Sequence, residues 1–231
     1  MKGMSMKMIS RAIYSIVLLT SVSYFLANDV VEQIFTTIYK TNEWKLGESV
    51  SGLGSEVWVT HRMRRELADL IKQFDITSIA DAPCGDLHWM QHVNLGACRY
   101  IGIDIVQELI ENNIKKFGAT KEFRHLNLID NVIEKVDLIL CRDMLAHLTY
   151  EQIFIVLKNF KKSGSKYLLV TTGVTTTHNV DMENTGECRR LNLELPPFNF
   201  PRPLAIIEED VPWAFEKGKH LALWLLSDLD V

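Results

Sequence analysis

Four side chains that can bind a ligand or exchange protons follow short apolar runs in the middle of the sequence. Asp81 and Asp104 each end such a run, and Asp143 lies just beyond a later run, with His147 four residues further on. If these runs are parallel strands, their carboxyl ends share one edge of a sheet and bring the side chains together. Carboxylates there can accept from ligand hydroxyls, and an imidazole can remove a proton. The spacing therefore predicts a single site for binding and acid–base chemistry.

The loop after the first run contains a single glycine and reads Asp81-Ala82-Pro83-Cys84-Gly85-Asp86-Leu87-His88-Trp89. A dinucleotide site would need G-x-G-x-x-G to admit a pyrophosphate, so this loop disfavours an NAD-linked oxidoreductase. A single glycine lets the backbone approach a ligand closely at one point, which suits a nucleoside cofactor without phosphate, such as S-adenosylmethionine (SAM). The amino and sulfonium groups of SAM are cationic and suit nearby acids. We expect cofactor contacts from Asp81, Pro83, Cys84, Gly85, Asp86 and Trp89.

Asp104 follows Asp81 by 23 residues, close to the interval at which an acid meets ribose hydroxyls in Rossmann-type folds. A carboxylate can accept from both hydroxyls of a ribose, and Ile105 beside it would face the nucleoside. Taken alone, Asp104 could equally be the N-cap of a helix over Val106–Lys116. In combination with the preceding loop, the nucleoside interpretation is favoured.

The third and fourth runs end in further polar side chains. Asn127, next to Leu128, offers an amide for an adenine edge, although a turn asparagine is an equal alternative. Arg142 could hold Asp143 or an acceptor oxygen through its fork of donors. Asp143 and His147 are the candidate general bases. His147 is favoured slightly because imidazole titrates near neutrality. The alternative for Asp143 is a helix cap, and the alternative for His147 is a core or capping histidine.

Strands alternating with helices are predicted to position these residues. The strand candidates are Ser78–Asp81, Tyr100–Ile105, Glu122–Leu126, Val136–Cys141, Tyr167–Thr172, Arg202–Glu208 and Leu221–Leu226. The helix candidates are Asp29–Lys40, a helix from the N-cap Thr60 to about Phe74, Asp86–His92, Val106–Lys116 and Tyr150–Lys161. This order predicts an α/β, Rossmann-like fold with a mostly parallel seven-stranded sheet that ends in an antiparallel hairpin.

Composition supports one globular domain over residues 29–231. Apolar residues make up 47% of the 231 residues and charged residues 23%, and the net charge of -4 gives no basic footprint for nucleic acid. The four cysteines lack the paired spacing of a zinc or redox site. We therefore expect reduced thiols and no metal. The sequence does not indicate an oligomeric state.

Residues 1–28 form a separate hydrophobic segment. Lys2, Lys7 and Arg11 precede an uncharged run of 16 residues from Ala12 to Ala27. This pattern fits a signal peptide or membrane anchor, and the alternative is an apolar helix packed on the domain. Targeting by this segment would place the protein at a membrane or in the secretory pathway, and otherwise it would be cytoplasmic.

Several motifs together resemble one family of small class I SAM-dependent methyltransferase domains. These domains are sometimes fused to glycosyltransferases and are associated with O-methylation of sugars in glycans. The motifs are Pro83-Cys84-Gly85-Asp86 with Trp89-Met90, Gly102-Ile103-Asp104-Ile105-Val106, Cys141-Arg142-Asp143 with His147-Leu148, and Leu191-Asn192-Leu193 with Pro197-Phe198-Asn199-Phe200-Pro201. The resemblance spans about Asp29 to Leu229 and implies SAM as cofactor and a sugar acceptor. It also implies that Glu48 to Ser55 covers the cofactor.

Two departures from this family lie in the expected acceptor region. Cys188 stands before Arg189 where the family usually has Trp, and Gly218 stands before Lys219 where an acid is usual. The acceptor therefore has alternatives, namely a protein or a small metabolite. A further alternative is a membrane-tethered protein that binds SAM without catalysis.

Overall fold

Seven strands make up the sheet of this protein. The structure is a computed structural model that describes residues 30–209, 211–213 and 217–231. The strands are β1 (Ser78–Asp81), β2 (Arg99–Asp104), β3 (Glu122–His125), β4 (Leu138–Cys141), β5 (Tyr167–Gly173), β6 (Ala205–Glu208) and β7 (Lys219–Leu225). β1 and β4 are almost wholly buried, as expected for short apolar strands covered on both faces.

The strand order in the sheet is β3-β2-β1-β4-β5-β7-β6. The first five strands are parallel, and β7 runs antiparallel to both β5 and β6. The predicted fold class is therefore confirmed, including the antiparallel pair at the C-terminal end. Because β7 is antiparallel, its first residues lie at the same edge as the carboxyl ends of β4 and β5.

Helices cover both faces of the sheet. They are α1 (30–41), α2 (His61–Gln73), α3 (Gln107–Phe117) and α4 (Tyr150–Lys162). Residues of α2 and α3 share one apolar core with the sheet, and residues of α1 and α4 share the other. α4 begins with a capping box in which Thr149 and Gln152 exchange side-chain to backbone hydrogen bonds. Such a box satisfies two N–H groups that the first turn leaves free.

The predicted helix Asp86–His92 is wrong. The chain turns there, and a short 3-10 helix forms over Met90–His92 alone. Asp86 accepts from the backbone N–H of His88, and Leu87 adopts a φ of 55°, in the left-handed region. A local side-chain hydrogen bond and a left-handed residue both stop a helix from starting at this point.

Two other predictions concern caps and cysteines. Thr60 directly precedes α2, but its hydroxyl donates to the carbonyl of Glu56 and does not cap the helix. All four cysteines are free, as predicted, and Cys84 and Cys141 are buried.

The hydrophobic run Ala12 to Ala27 lies outside the described residues, as does the boundary between residues 28 and 29. Within the part of the chain that the structure describes, no helix combines the length and the apolar character needed to cross a bilayer.

Candidate functional site

A cavity of about 630 Å³ opens at the edge of the sheet where the parallel strands end. β1 pairs with β2 on one side and with β4 on the other, so this is the point at which the strand order reverses. Ligands of open α/β sheets bind at such a switch point. Every predicted site residue lines the cavity: Asp81, Pro83, Cys84, Gly85, Asp86, Trp89, Asp104, Ile105, Asn127, Leu128, Arg142, Asp143 and His147.

Asp104 lies at the tip of β2 with its carboxylate buried. One oxygen accepts from the N–H of Gly85 at 3.1 Å, and the other accepts from the N–H of Val106 at 3.0 Å. Asp104 is therefore not the N-cap of α3, which is Val106, although it accepts from the N–H of that residue and lines the cavity. Burial raises the pKa of Asp104, opposed by these backbone donors.

Asp81, at the tip of β1, is a buried acid whose partner is neutral. Its carboxylate accepts from the hydroxyl of Tyr100 at 2.6 Å. Burial raises the pKa of Asp81 to about 7, and the charge of Asp104 adds to this effect. Two buried carboxylates on neighbouring strands make this end of the cavity favourable for a cation.

Asp86 faces the segment that covers the cavity, residues 44–56. Its carboxylate accepts from the hydroxyl of Ser49 at 3.0 Å and from the N–H of Val50 at 3.0 Å. Gly85 has a φ of 56°, and a Cβ there would lie 2.4 Å from the Ser51 hydroxyl oxygen. A glycine at position 85 therefore lets the covering segment approach the loop after β1.

Asn127 uses its amide within its own turn. The side-chain oxygen accepts from the N–H of Ile129 at 3.0 Å, and the amide nitrogen donates to Asp130 at 2.7 Å. This is the turn arrangement that the sequence left as an alternative to adenine contact. Ile105 and Leu128, which is buried, add apolar wall beside it.

Arg142 and Asp143 belong to a four-charge network at the end of β4. Arg142 donates to both carboxylate oxygens of Glu209, at 2.5 and 3.2 Å, and lies 3.2 Å from a carboxylate oxygen of Asp143. Lys219, the first residue of β7, lies 2.7 Å from Asp143 and 3.6 Å from Glu209. Thr171 also binds Asp143 through its hydroxyl. Two cations and two anions thus satisfy one another beside the cavity.

The network sets the charge of Asp143. Burial alone would raise the pKa of this carboxyl, but Arg142 and Lys219 hold it well below its usual range. An ionised carboxylate tied to two cations is a weak proton acceptor. This arrangement argues against Asp143 as the general base and supports a role in positioning Lys219.

His147 is partly buried in the cavity wall, where its ring stacks on Trp44 with centroids 4.5 Å apart. Its Nδ1 lies 2.8 Å from the carbonyl oxygen of Glu187. A carbonyl only accepts, so Nδ1 carries the proton and the lone pair is on Nε2. Burial lowers the pKa of His147, which keeps the ring neutral at neutral pH.

Trp44 and Glu209 were not identified from the sequence. Trp44 comes from the loop after α1, and Glu209 follows the end strand β6, and neither lies in a recognisable motif. One signal pointed towards Glu209, since an arginine directly after a buried strand needs an acid from elsewhere in the chain. The sequence could not tell which acid that would be.

Several solved structures share this fold. The magnesium protoporphyrin IX methyltransferase of Synechocystis PCC 6803, solved with bound SAM, superposes with a TM-score of 0.58 at 12% identity, over 86% of this chain and 96% of that one. The N-methyltransferase NodS of Bradyrhizobium japonicum WM9 gives 0.53 at 13% identity, over 72% and 96%. Human N-acetylserotonin methyltransferase in complex with SAM gives 0.50 at 12% identity, over 71% and 52%.

No protein-family model and no curated protein sequence matches the chain. The structural likeness and the strand order together define its class: the chain has the Rossmann-like fold of class I SAM-dependent methyltransferases.

Proposed function

We propose that the protein is a SAM-dependent methyltransferase that methylates a hydroxyl group of a sugar or glycan. The observation that carries this proposal is a single cavity with two chemically different ends. Buried acids at the tips of β1 and β2 suit a cationic nucleoside, and a neutral imidazole with its lone pair on Nε2 lies at the tip of β4.

The residues at the first end fit the cofactor. Asp104 can accept from ribose hydroxyls, and Asp81 offers a buried carboxylate to a positive charge. SAM, when bound, supplies a methyl group that is already activated by its sulfonium. The chain's own contribution is to orient the reactants and to exclude water, which the covering segment 44–56 and the apolar walls favour.

The residues at the second end fit a hydroxyl acceptor. A hydroxyl attacks poorly unless its proton is removed as the new bond forms, and Nε2 of His147 can accept that proton. The Glu187 carbonyl and the Trp44 ring fix the orientation of the imidazole. Support for a sugar comes from the family resemblance and from the tryptophans Trp44 and Trp213 in the cavity wall. The solved structures that share this fold are methyltransferases named for different acceptors, so the fold alone does not identify the acceptor.

Binding measurements test the cofactor end of the cavity, and turnover measurements test the end near His147. Calorimetry should detect SAM with a dissociation constant near the micromolar range, about -8 kcal/mol, and should detect no NAD. Asp104→Ala should weaken SAM binding about tenfold or more, because the ribose loses a charged acceptor. Binding of NAD without SAM would contradict the proposal.

Acceptor identity is tested by incubating the protein with labelled SAM and with glycan, protein and small-metabolite fractions. We expect label in the glycan fraction, in a bond that resists mild base as a methyl ether does. Label confined to protein or to small metabolites would assign the acceptor to those classes. SAM binding without methyl transfer to any fraction would indicate a binding protein that has lost catalysis.

A further inference from the structure

Glu48, Glu56 and His88 meet where the covering segment crosses the loop after β1. One ligand atom from each lies within 4.8 Å of the others. Nε2 of His88 is 3.4 Å from a carboxylate oxygen of Glu48 and 4.0 Å from a carboxylate oxygen of Glu56. The cluster lies outside the residues that the proposed reaction uses.

One fully buried polar atom in this cluster, Nε2 of His88, lacks a hydrogen-bond partner. The side chain of Glu56 is only 7% exposed, and its Oε1 accepts from the N–H groups of Glu48 and Ser49. Among the described residues, no hydrogen-bond donor reaches the other oxygen, Oε2, and buried Nε2 of His88 has no hydrogen-bond partner either. Buried polar atoms are nearly always satisfied, so an unpartnered Nε2 that faces two carboxylates favours a cation between them.

The distances fit a cation between these atoms. Ligands about 2.1 Å from a tetrahedral metal ion are separated by about 3.4 Å, which is the spacing between His88 and Glu48. The 4.0 Å from His88 to Glu56 reaches this value with a small movement of the side chains. Imidazole and carboxylate together suit divalent transition metals such as Zn²⁺ and Mn²⁺. Three protein ligands leave one position of a tetrahedral ion for water.

We propose that Glu48, Glu56 and His88 bind a divalent transition-metal ion that fastens the covering segment over the cavity. Glu48 and Glu56 belong to the covering segment, whereas His88 belongs to the loop after β1. Asp86, two residues before His88, already holds Ser49 and Val50 of the same segment. The ion adds a second tie between the same two parts of the chain.

Ion binding should also be coupled to ligand binding in the cavity, an inference that rests on the proposed binding of SAM. An ion that holds the covering segment in place over the cavity raises the affinity of the cavity for any ligand beneath that segment. By linkage, that ligand raises the affinity for the ion by the same factor.

Calorimetric titration of Zn²⁺ into the tag-free, chelator-treated full chain tests the ion site. We expect one ion per chain, and at least tenfold weaker binding in His88→Gln and in Glu48→Gln. The side chain of Glu48 is 78% exposed, so its replacement should leave the fold intact. His92→Gln, an exposed histidine near the same loop, and Cys188→Ser, an exposed thiol, are controls that should bind Zn²⁺ like the wild type. No saturable uptake, or unchanged affinity in both ligand variants, overturns the site.

SAM titrations with and without Zn²⁺ test the fastening. The wild type should bind SAM several-fold more tightly with Zn²⁺, and His88→Gln should show no such gain. Zn²⁺ that binds at the site without changing SAM affinity overturns the fastening. If the protein binds no SAM at all, the proposed function fails, while the Zn²⁺ titration still decides whether the ion site exists.

Discussion

Asp81 illustrates how a single residue can be arranged for a ligand at a cost to the unliganded fold. Its carboxylate is buried and bonded to the Tyr100 hydroxyl, and burial raises its pKa to about 7. Above that pH the folded protein has to hold an ionised carboxylate away from water. A cationic ligand would compensate for this, because opposite charge favours the ionised form.

Replacing Asp81 with Asn should therefore stabilise the unliganded protein at high pH. The folded pKa lies above the ordinary value of 3.8, so the stability associated with the protonated acid is lost as the pH rises towards about 7. The advantage of Asp81→Asn should grow between about pH 4 and pH 7 and then level off, at about 2–4 kcal/mol. Urea unfolding at pH 5 and pH 8 measures it. A difference that is independent of pH, or a wild type more stable at pH 8, would contradict the assignment.

His147 and Asp143 should behave differently when replaced. His147→Gln should lower turnover by about 10²–10⁴ while SAM affinity stays the same, because only proton removal is lost. Asp143→Asn should instead lower thermal stability, since Arg142 and Lys219 lose an ionised partner. Turnover, calorimetry and melting temperature on the same preparations separate the two roles.

The pH profile gives an independent measure of the base. Burial lowers the pKa of His147 below 6.5. The imidazole therefore stays neutral, with its Nε2 lone pair available, over the whole range from pH 7 to pH 6.5. The rate should therefore be flat near neutrality and should fall only below pH 6.5, and His147→Gln should lose this acidic limb. A limb that survives in His147→Gln would assign the base to another group.

At the level of elements, the strands were predictable because their signals are local. Short apolar runs that end in a polar residue, such as the run ending at Asp81, identify both a buried strand and its functional tip. The predicted helix after that strand failed because the Asp86 side chain bonds to its own backbone two residues on. Trp44 and Glu209 reach the site only through the packing of distant segments, and apolar periodicity does not encode such contacts.

The ends of β4, β6 and β7 are joined by the buried charge network. Glu209→Ala would leave Arg142 buried with a weaker set of partners, and removing one member of a buried pair costs about 3–5 kcal/mol. The neighbouring Glu208 offers a matched control, because its bond to Arg62 is exposed. Glu208→Ala should change the free energy of unfolding by less than about 1 kcal/mol. Equal losses in both variants, measured by urea unfolding, would show that the network contributes little.

For the whole molecule, the cavity is built from described residues between Val31 and Lys219. The family resemblance begins near Asp29, so we expect a chain lacking Met1 to Ala27 to remain folded and to bind SAM like the full chain. Calorimetry and size-exclusion chromatography of both chains test this expectation. Aggregation of the shortened chain would favour the alternative in which the apolar run packs on the domain.

The strand order also determines when each part of the cavity can form during synthesis. β6 precedes β7 in the chain but pairs with the sheet only through β7. The five parallel strands, with Asp81 and Asp104, can assemble as soon as β5 has left the ribosome, since chains fold from the N-terminal side as they emerge. Glu209 and Lys219 can join only when β7 arrives and brings β6 with it. The end of the cavity with the two buried acids can therefore form before the charge network around Arg142 and Asp143 is complete.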